Sequence, residues 1–421
     1  MGRRALTLAL VLGCSWARAP RALALSECEG PAARWIQSVG VHGNDHTAEQ
    51  TVLELLPRRP PSRFGRDELV EFERRLNNLG IFDHVEVTCD GDALDVELRE
   101  KWTLVPEIDF STGETLADTY ALLGATEYNL LGTANQLGIS AYLERRGFGL
   151  SAAFREHDYR RRGWAFGSTL SVATVAIPVD DDTGWRTASV FGEVNFRSPP
   201  FLRHHANYTA GLYLSSESVY ASNRADAPPS TQVLQSRMGF SWDQYEWHDL
   251  VPRGLQATLW LSVGGLFGVD PPKPRHSAEL ALRASARLGP LTAIVTRVEA
   301  VVGTRGNINY GFVLGSLKGV RGLPDAQYLD WIHAFTNVEL RHSFPLAERW
   351  ALQLVGFGDG AVFEPMTASG GRDIAHGAFS LGAGLRLIPT WISSLTLRID
   401  ASRLLAPEPA WFFQLGLTQY L

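Results

Sequence analysis

The sequence predicts a mostly β fold: a transmembrane antiparallel β-barrel of about 16 strands, preceded by one small α+β domain. Three observations predict it. From Leu104 to Leu421, segments of roughly ten residues alternate apolar with polar or small side chains, separated by Gly, Pro, Asp and Asn, with no helical periodicity between them. Residues 34–101 read instead as strand, helix, helix, strand, strand. The chain of 421 residues is 45% apolar with 40 Gly and three Cys, which excludes disorder and a disulfide scaffold. Its 39 basic and 45 acidic residues give a net charge of −6 with no long basic tract, so nucleic acid is not an expected partner. Beyond the N-terminus no apolar run reaches the roughly 18 residues that a membrane-crossing helix needs.

Taken in order, the first element is an address. Arg3 and Arg4 precede the apolar run Ala5 to Leu12, and Ala22-Leu23-Ala24 has the small-x-small form that signal peptidase accepts, so residues 1–24 are expected to be a cleaved signal peptide. A lipoprotein signal ending at Cys14 is disfavoured by bulky Leu12, and a mitochondrial presequence by the compactness of the apolar run. The mature chain keeps Cys28 and Cys89. An oxidising compartment allows them to bridge, closing about 60 residues and stabilising the module by roughly 4 kcal/mol in the chain-entropy model. Two free thiols are the open alternative.

The small domain, residues 25–102, begins with a short strand from Trp35 to Val41 and the turn pair Gly43-Asn44. Thr47 and Gln50 have capping-box spacing ahead of Val52, Leu53, Leu55 and Leu56, which predicts a helix start. Pro57 to Gly65 reads as a linker. A second helix carries Leu69, Phe72, Leu76 and Leu79 on one face and stops at Gly80. Val85, Val87 and Cys89, then Leu94, Val96 and Leu98, alternate with polar residues around Asp90-Gly91, a hairpin with one apolar face for the helices to cover.

The barrel, residues 103–421, is expected to have strands starting near Leu104, Thr119, Ala134, Gly147, Gly163, Arg186, His204, Thr231, Gly254, His276, Leu291, Trp331, Arg349, His376, Ser393 and Ala410. An even count suits a single-chain outer-membrane barrel. Leu395, Leu397, Ile399 and Ala401 make an apolar face while Thr396, Arg398, Asp400 and Ser402 make a fully polar one, the division expected between lipid and lumen. The last segment, Trp411 to Leu421, alternates in the same way and is expected to close the barrel against the first. Trp164, Trp185, Trp242, Trp247, Trp331, Trp350, Trp391 and Trp411 lie near strand ends and suit interfacial girdles.

Several motifs carry a family resemblance. Val41-His42-Gly43-Asn44 and Leu79-Gly80-Ile81-Phe82-Asp83-His84-Val85 resemble a POTRA domain. Val320, Arg321, Gly322 and Leu323 lie in the long segment between the eleventh and twelfth strands. They resemble the VRG-aromatic motif that BamA-like outer-membrane assembly factors and two-partner-secretion transporters hold in a loop folded into the lumen. Asn337 to Arg341 resembles the strand after that loop, Phe357, Asp359 and Gly360 the F-x-D strand, and Gly382 to Arg386 the run that follows. This chain departs from the pattern at Leu323, at Ala361 in place of a Gly, and at the terminal Leu421; only one POTRA-like module fits.

The resemblance implies an outer-membrane barrel that inserts or translocates other polypeptides, using the POTRA-like domain and a lateral seam between first and last strands. It implies unfolded or secreted client polypeptides, outer-membrane lipid and periplasmic accessory proteins as partners. The expected location is the outer membrane of a Gram-negative bacterium, with the N-terminal domain in the periplasm. A passive porin-like channel with a periplasmic appendage is the alternative. Pro106 in the first strand fits a weak seam because it lacks a ladder donor, although Pro is also ordinary near a strand start.

An Arg321–Asp359 pair also has physical grounds beside the resemblance, with a solvated loop arginine as the open alternative. Gln353, Val355, Phe357 and Asp359 share one strand face with Leu352 and Leu354 opposite, so Asp359 points into the lumen, where a carboxylate needs a partner. Arg321 can meet it as a planar fork and pin the loop inside the barrel. No H-E-x-x-H, G-x-S-x-G, Walker or dinucleotide motif occurs, so neither an enzyme, a metal nor a cofactor is expected. His157-Asp158 and Trp247-His248-Asp249 read as wet connections.

Overall fold

The computed structural model describes residues 34–112, 119–144, 147–159, 164–178, 184–201, 205–222, 229–248, 250–304, 312–315, 319–323, 328–347, 349–365 and 376–417. The leader 1–24, Cys28 and the end of the last expected strand, 418–421, lie outside the described residues.

The N-terminal module comprises β1 (Arg34–Ile36), β2 (Ser38–His42), α1 (Glu49–Leu53), β3 (Ser62–Phe64), α2 (Arg66–Asn78), β4 (Phe82–Asp90) and β5 (Ala93–Glu100). Its main sheet has the order β2-β5-β4, with β2 parallel to β5 and β4 antiparallel. On α2, Leu69, Phe72 and Leu76 recur at helical spacing and are buried against Val85, Val87, Leu94 and Val96 of the sheet. Glu68 accepts from the Gly65 N–H (2.9 Å) to open this helix, and Gly80, at φ +72°, ends it.

Three readings of the module need correction. The single first strand is split at Gln37, whose N–H is held by Asp92 O (2.7 Å). The Pro-rich linker contains β3, which pairs with β1 through Trp35↔Arg63. Thr47 caps no helix: Ala48 is the N-cap residue, while buried Thr47 donates its N–H to Glu100 Oε1 (2.6 Å) and accepts from Asn129 Nδ2 (2.9 Å) through Oγ1. A long-range contact with the barrel outcompetes the local cap.

The barrel strands are β6 (Leu104–Thr112), β7 (Tyr120–Leu130), β8 (Asn135–Glu144), β9 (Gly147–Tyr159), β10 (Trp164–Pro178), β11 (Gly184–Arg197), β12 (Ala206–Ser222), β13 (Thr231–Asp243), β14 (Glu246–His248), β15 (Val251–Phe267), β16 (Lys273–Gly289), β17 (Thr292–Gly303), β18 (Phe312–Leu314), β19 (Tyr328–Ala347), β20 (Trp350–Pro365), β21 (His376–Pro389), β22 (Leu397–Ala406) and β23 (Ala410–Gly416). They form one closed barrel. Three-residue β14 and β18 pair onto β15 and β19, but β13–β15 and β17–β19 also pair directly, so the barrel proper has 16 strands. His157 and Asp158 belong to β9, and Trp247 and His248 to β14, rather than to connections.

Side-chain parity sets the two faces of the wall. Leu212, Leu234, Leu259, Val338, Leu354, Leu385, Ile399 and Phe413 are exposed on the outside, an apolar surface of the kind a transmembrane barrel turns to lipid. Trp164, Trp350 and Trp411 are exposed near strand ends, as girdle residues should be. Trp185 and Trp331 are buried instead; Trp331 shares the inward parity of His333 and Phe335. Strand periodicity alone could not distinguish a girdle Trp from a lumenal one.

The expected strand starting at Ser393 begins only at Leu397. Residues before it dock the module: Ser393 Oγ donates to Gly80 O (2.9 Å), its N–H donates to Trp102 O (2.9 Å), and the Trp102 N–H donates to Trp391 O (2.9 Å). A second dock lies at the β7–β8 turn, where Gly132 O accepts from the Ala48 N–H (2.9 Å) and Thr51 Oγ1 (3.0 Å).

Candidate functional site

The inward faces of β19 to β22 carry charge that a closed wall would not otherwise tolerate. On β19, Asn337, Glu339, Arg341 and Ser343 alternate with outward-facing residues and are buried. On β20, Gln353, Val355, Phe357 and Asp359 do the same, and β21 and β22 add Arg386, Arg398, Asp400 and Ser402. Ions buried this deeply persist only when each meets an opposite charge with good geometry.

The loop between β17 and β19 supplies the central cation. Leu314, Val320, Arg321 and Leu323 are fully buried, and a turn is made by Val320 N–H on Gly315 O (3.2 Å) and Leu323 N–H on Val320 O (3.0 Å). Arg321 donates through Nε (2.7 Å) and Nη2 (2.8 Å) to the two Asp359 oxygens, and its backbone N–H donates to Oδ2 (3.1 Å). This is a bidentate fork with a third bond from the main chain. Arg321 Nη1 donates to Glu339 Oε1 (2.5 Å), and its Cζ lies 3.5 Å from the Phe357 ring centroid. One guanidinium thus joins the loop to two strands.

Gly322 sits at φ +92°, and a Cβ there would meet Ser402 Oγ at 3.1 Å and Phe412 Cδ2 at 3.4 Å. The turn therefore needs glycine twice over, for its backbone and for its neighbours. Leu323 packs in an apolar cluster with Phe335, Phe363, Leu404 and Phe412. Those wall aromatics fill the space, so an aliphatic residue suffices where the resembled motif has an aromatic.

The charge network extends outward from this fork. Glu339 accepts from Arg341 Nε (2.7 Å); Asp400 accepts from Arg386 Nη1 (2.5 Å) and Nη2 (3.1 Å) and lies 3.9 Å from both Arg321 Nη1 and Arg398 Nη1. Arg398 Nη2 donates to Asp109 Oδ1 (3.1 Å) and Oδ2 (3.0 Å) on the first barrel strand. Four guanidiniums face four carboxylates.

The structure brings together Val320, Arg321, Gly322, Leu323, Phe357 and Asp359. Gly360 is not among them, because strand parity turns it away from the lumenal side of β20. Cys89 is buried in the module core and disulfide-bonded, while Cys28 lies outside the described residues. Sequence reasoning missed Glu339, Arg341 and Arg386 as members of the centre, and missed Asp109 entirely. The polar parity of Arg398 and Asp400 was visible, but their partners depend on cross-strand register, which one sequence does not display. Among the described residues no group of three or more His, Cys, Asp or Glu is placed to hold a metal ion.

Solved structures share this architecture. The fold is similar to that of BamA from Haemophilus ducreyi lacking POTRA domains 1–3, with a TM-score of 0.53 and 14% identity over 91% of this chain and 84% of that one. CdiB from Escherichia coli gives 0.66 and 15% over 91% and 77%; CdiB from Acinetobacter baumannii gives 0.61 and 13% over 91% and 74%. No family model and no curated protein matches the sequence. The barrel therefore has the fold seen in BamA and CdiB, a likeness carried by structure at low identity.

Proposed function

We propose that this chain inserts other polypeptides into the outer membrane of a Gram-negative bacterium, or translocates them across it, through a lateral seam between β6 and β23. The observation that carries this reading is the seam itself. Among the described residues it registers four pairs, from Phe413↔Thr112 to Gly416↔Asp109, with one further bond from the Leu417 N–H to Ile108 O (2.8 Å). Its two strands lie at opposite ends of the barrel sequence, so no short turn ties them and only ladder bonds and side-chain contacts hold the junction shut.

In this reading the N-terminal module is POTRA-like and periplasmic. It receives extended client segments along the β2 edge of its sheet, since β5 is the central strand and β2 presents backbone groups to an added strand. Main-chain recognition tolerates many client sequences, and the chemistry asked of the protein is transport rather than catalysis. The partners are unfolded or secreted polypeptides, outer-membrane lipid around the apolar band, and periplasmic accessory proteins. Cys28 is the proposed partner of Cys89. A passive porin-like role would leave the seam without a use, because solutes would cross through the lumen.

Photoreactive residues placed at exposed Ser38 and His42 on β2, and at Trp411 and Phe413 beside the seam, test the reading. Capture of unfolded outer-membrane barrels at both places is expected. Capture at neither, with intact conductance to small solutes, would replace this function by the passive channel.

A further inference from the structure

The lumenal centre reaches the seam through one residue row. Register aligns Arg386, Arg398, Gly416 and Asp109 across β21, β22, β23 and β6. Gly416 is the row's member on the closing strand and has no side chain. The Arg398 guanidinium consequently passes over it, so that an ion pair joins β22 to β6 across the whole width of β23. A Cβ at Gly416 would stand 2.9 Å from Arg398 Nη2 and 3.3 Å from Asp109 Oδ1. The bridge is thus built in the space that glycine leaves.

The same guanidinium faces a second carboxylate. Arg398 Nη1 is 3.9 Å from Asp400 Oδ2, and Arg321 Nη1 approaches that oxygen from the loop side, also at 3.9 Å. Asp400 is therefore shared between the loop's cation and the seam's cation, with Arg386 held to it more tightly. Withdrawing Arg321 removes positive charge from one side of Asp400, and its carboxylate then competes more strongly with Asp109 for Arg398.

We infer that Arg398 and Asp109 form a latch across the seam, and that docking of Arg321 in the lumen keeps it closed. Arg398 and Asp109 are positioning residues for the opening step, and the loop is its control. The inference rests on the reading of the β6–β23 seam as the place of opening, and deepens it by naming what holds that seam and what releases it.

Spin labels at Ala121 and Leu385 test the latch without any client. These residues share one outward row through Ile399, Leu415 and Phe110 and flank the seam four strand spacings apart, about 19 Å at roughly 4.8 Å each. In detergent-solubilised full-length protein, pulsed electron spin resonance should give one narrow distance distribution for the parent. Asp109→Asn, Arg398→Gln and Gly416→Val should each add a population longer by about one strand spacing, ~5 Å. The last variant keeps every charge and shifts only the guanidinium, and heat-modifiable migration reports whether each barrel is folded. Arg321→Ala should also widen the distribution, although Arg321 is anchored to Asp359 on β20 and Glu339 on β19, and adding Asp400→Asn should narrow it again by removing the competitor for Arg398. Folded variants with the parent distribution would overturn the latch, as would Arg321→Ala widening that Asp400→Asn leaves untouched. Widening as described in protein that inserts no client would support the latch and overturn the insertion reading on which the opening step rests.

Discussion

Arg321 is the residue on which the lumenal centre depends, because it makes three hydrogen bonds to Asp359 and one to Glu339 while fully buried. Arg321→Ala strands the Asp359 carboxylate, and truncating one partner of a buried pair typically costs about 3–5 kcal/mol. The barrel's ladders hold the fold, so the expected outcome is an undocked loop and lost activity in a folded protein. A double-mutant cycle with Asp359→Ala, read by urea titration of loop docking, should show the double variant less impaired than the sum of the singles. Additive effects would mean that the fork contributes nothing as a pair. Gly322→Ala should weaken docking by about 1–3 kcal/mol, the usual strain of a side chain at such a φ; unchanged docking would contradict the turn's need for glycine. Strand parity placed Asp359 in the lumen, and the resemblance of Val320 to Leu323 to a lumenal loop motif singled out Arg321 as its partner. Glu339 and Arg386 were not legible in this way, since what makes them part of the centre is the cross-strand register of β19 to β22.

At the scale of elements, the seam and the module joint each make a prediction. Register places Ser111 opposite Gln414, both buried on the inner wall. Cysteines at these positions should cross-link on oxidation with the barrel still heat-modifiable, whereas cysteines at Ser111 and Phe412, out of register, should not. Equal yields from both pairs would show that the seam is not fixed as described. At the joint, burial pushes the Glu100 carboxyl up, but hydrogen bonds from Thr47 and from His46 outweigh it and hold the group below the ordinary glutamate range. A carboxyl depressed by folding stabilises above its unfolded pKa and loses that contribution as pH falls through its folded one. Exchange of the His46 and Thr47 amides should therefore accelerate below the ordinary glutamate range. Glu100→Gln should flatten this dependence; a profile unchanged by the substitution would assign it to another group. Strand starts were legible because turn residues interrupt a period of two, and most lie within three residues of expectation. Ser393 and Thr47 misled, since both are committed to contacts between module and barrel that no local pattern encodes.

At the scale of the molecule, closure of 16 strands follows from alternation that sets polar residues on the inner face of the wall and apolar ones outside. That much was legible without coordinates. The register of the seam was not, because it is a property of two strands separated by the whole barrel sequence. On the proposed function, this seam opens for a client. The most direct test uses the Ser111→Cys, Gln414→Cys protein in liposomes, supplied with an unfolded eight-stranded outer-membrane barrel and scored for protease-protected, heat-modifiable product. Insertion should stop when the cross-link is oxidised and return on reduction, while the parent without the two added cysteines is indifferent to both treatments. Undiminished insertion with the seam fully locked would contradict the account.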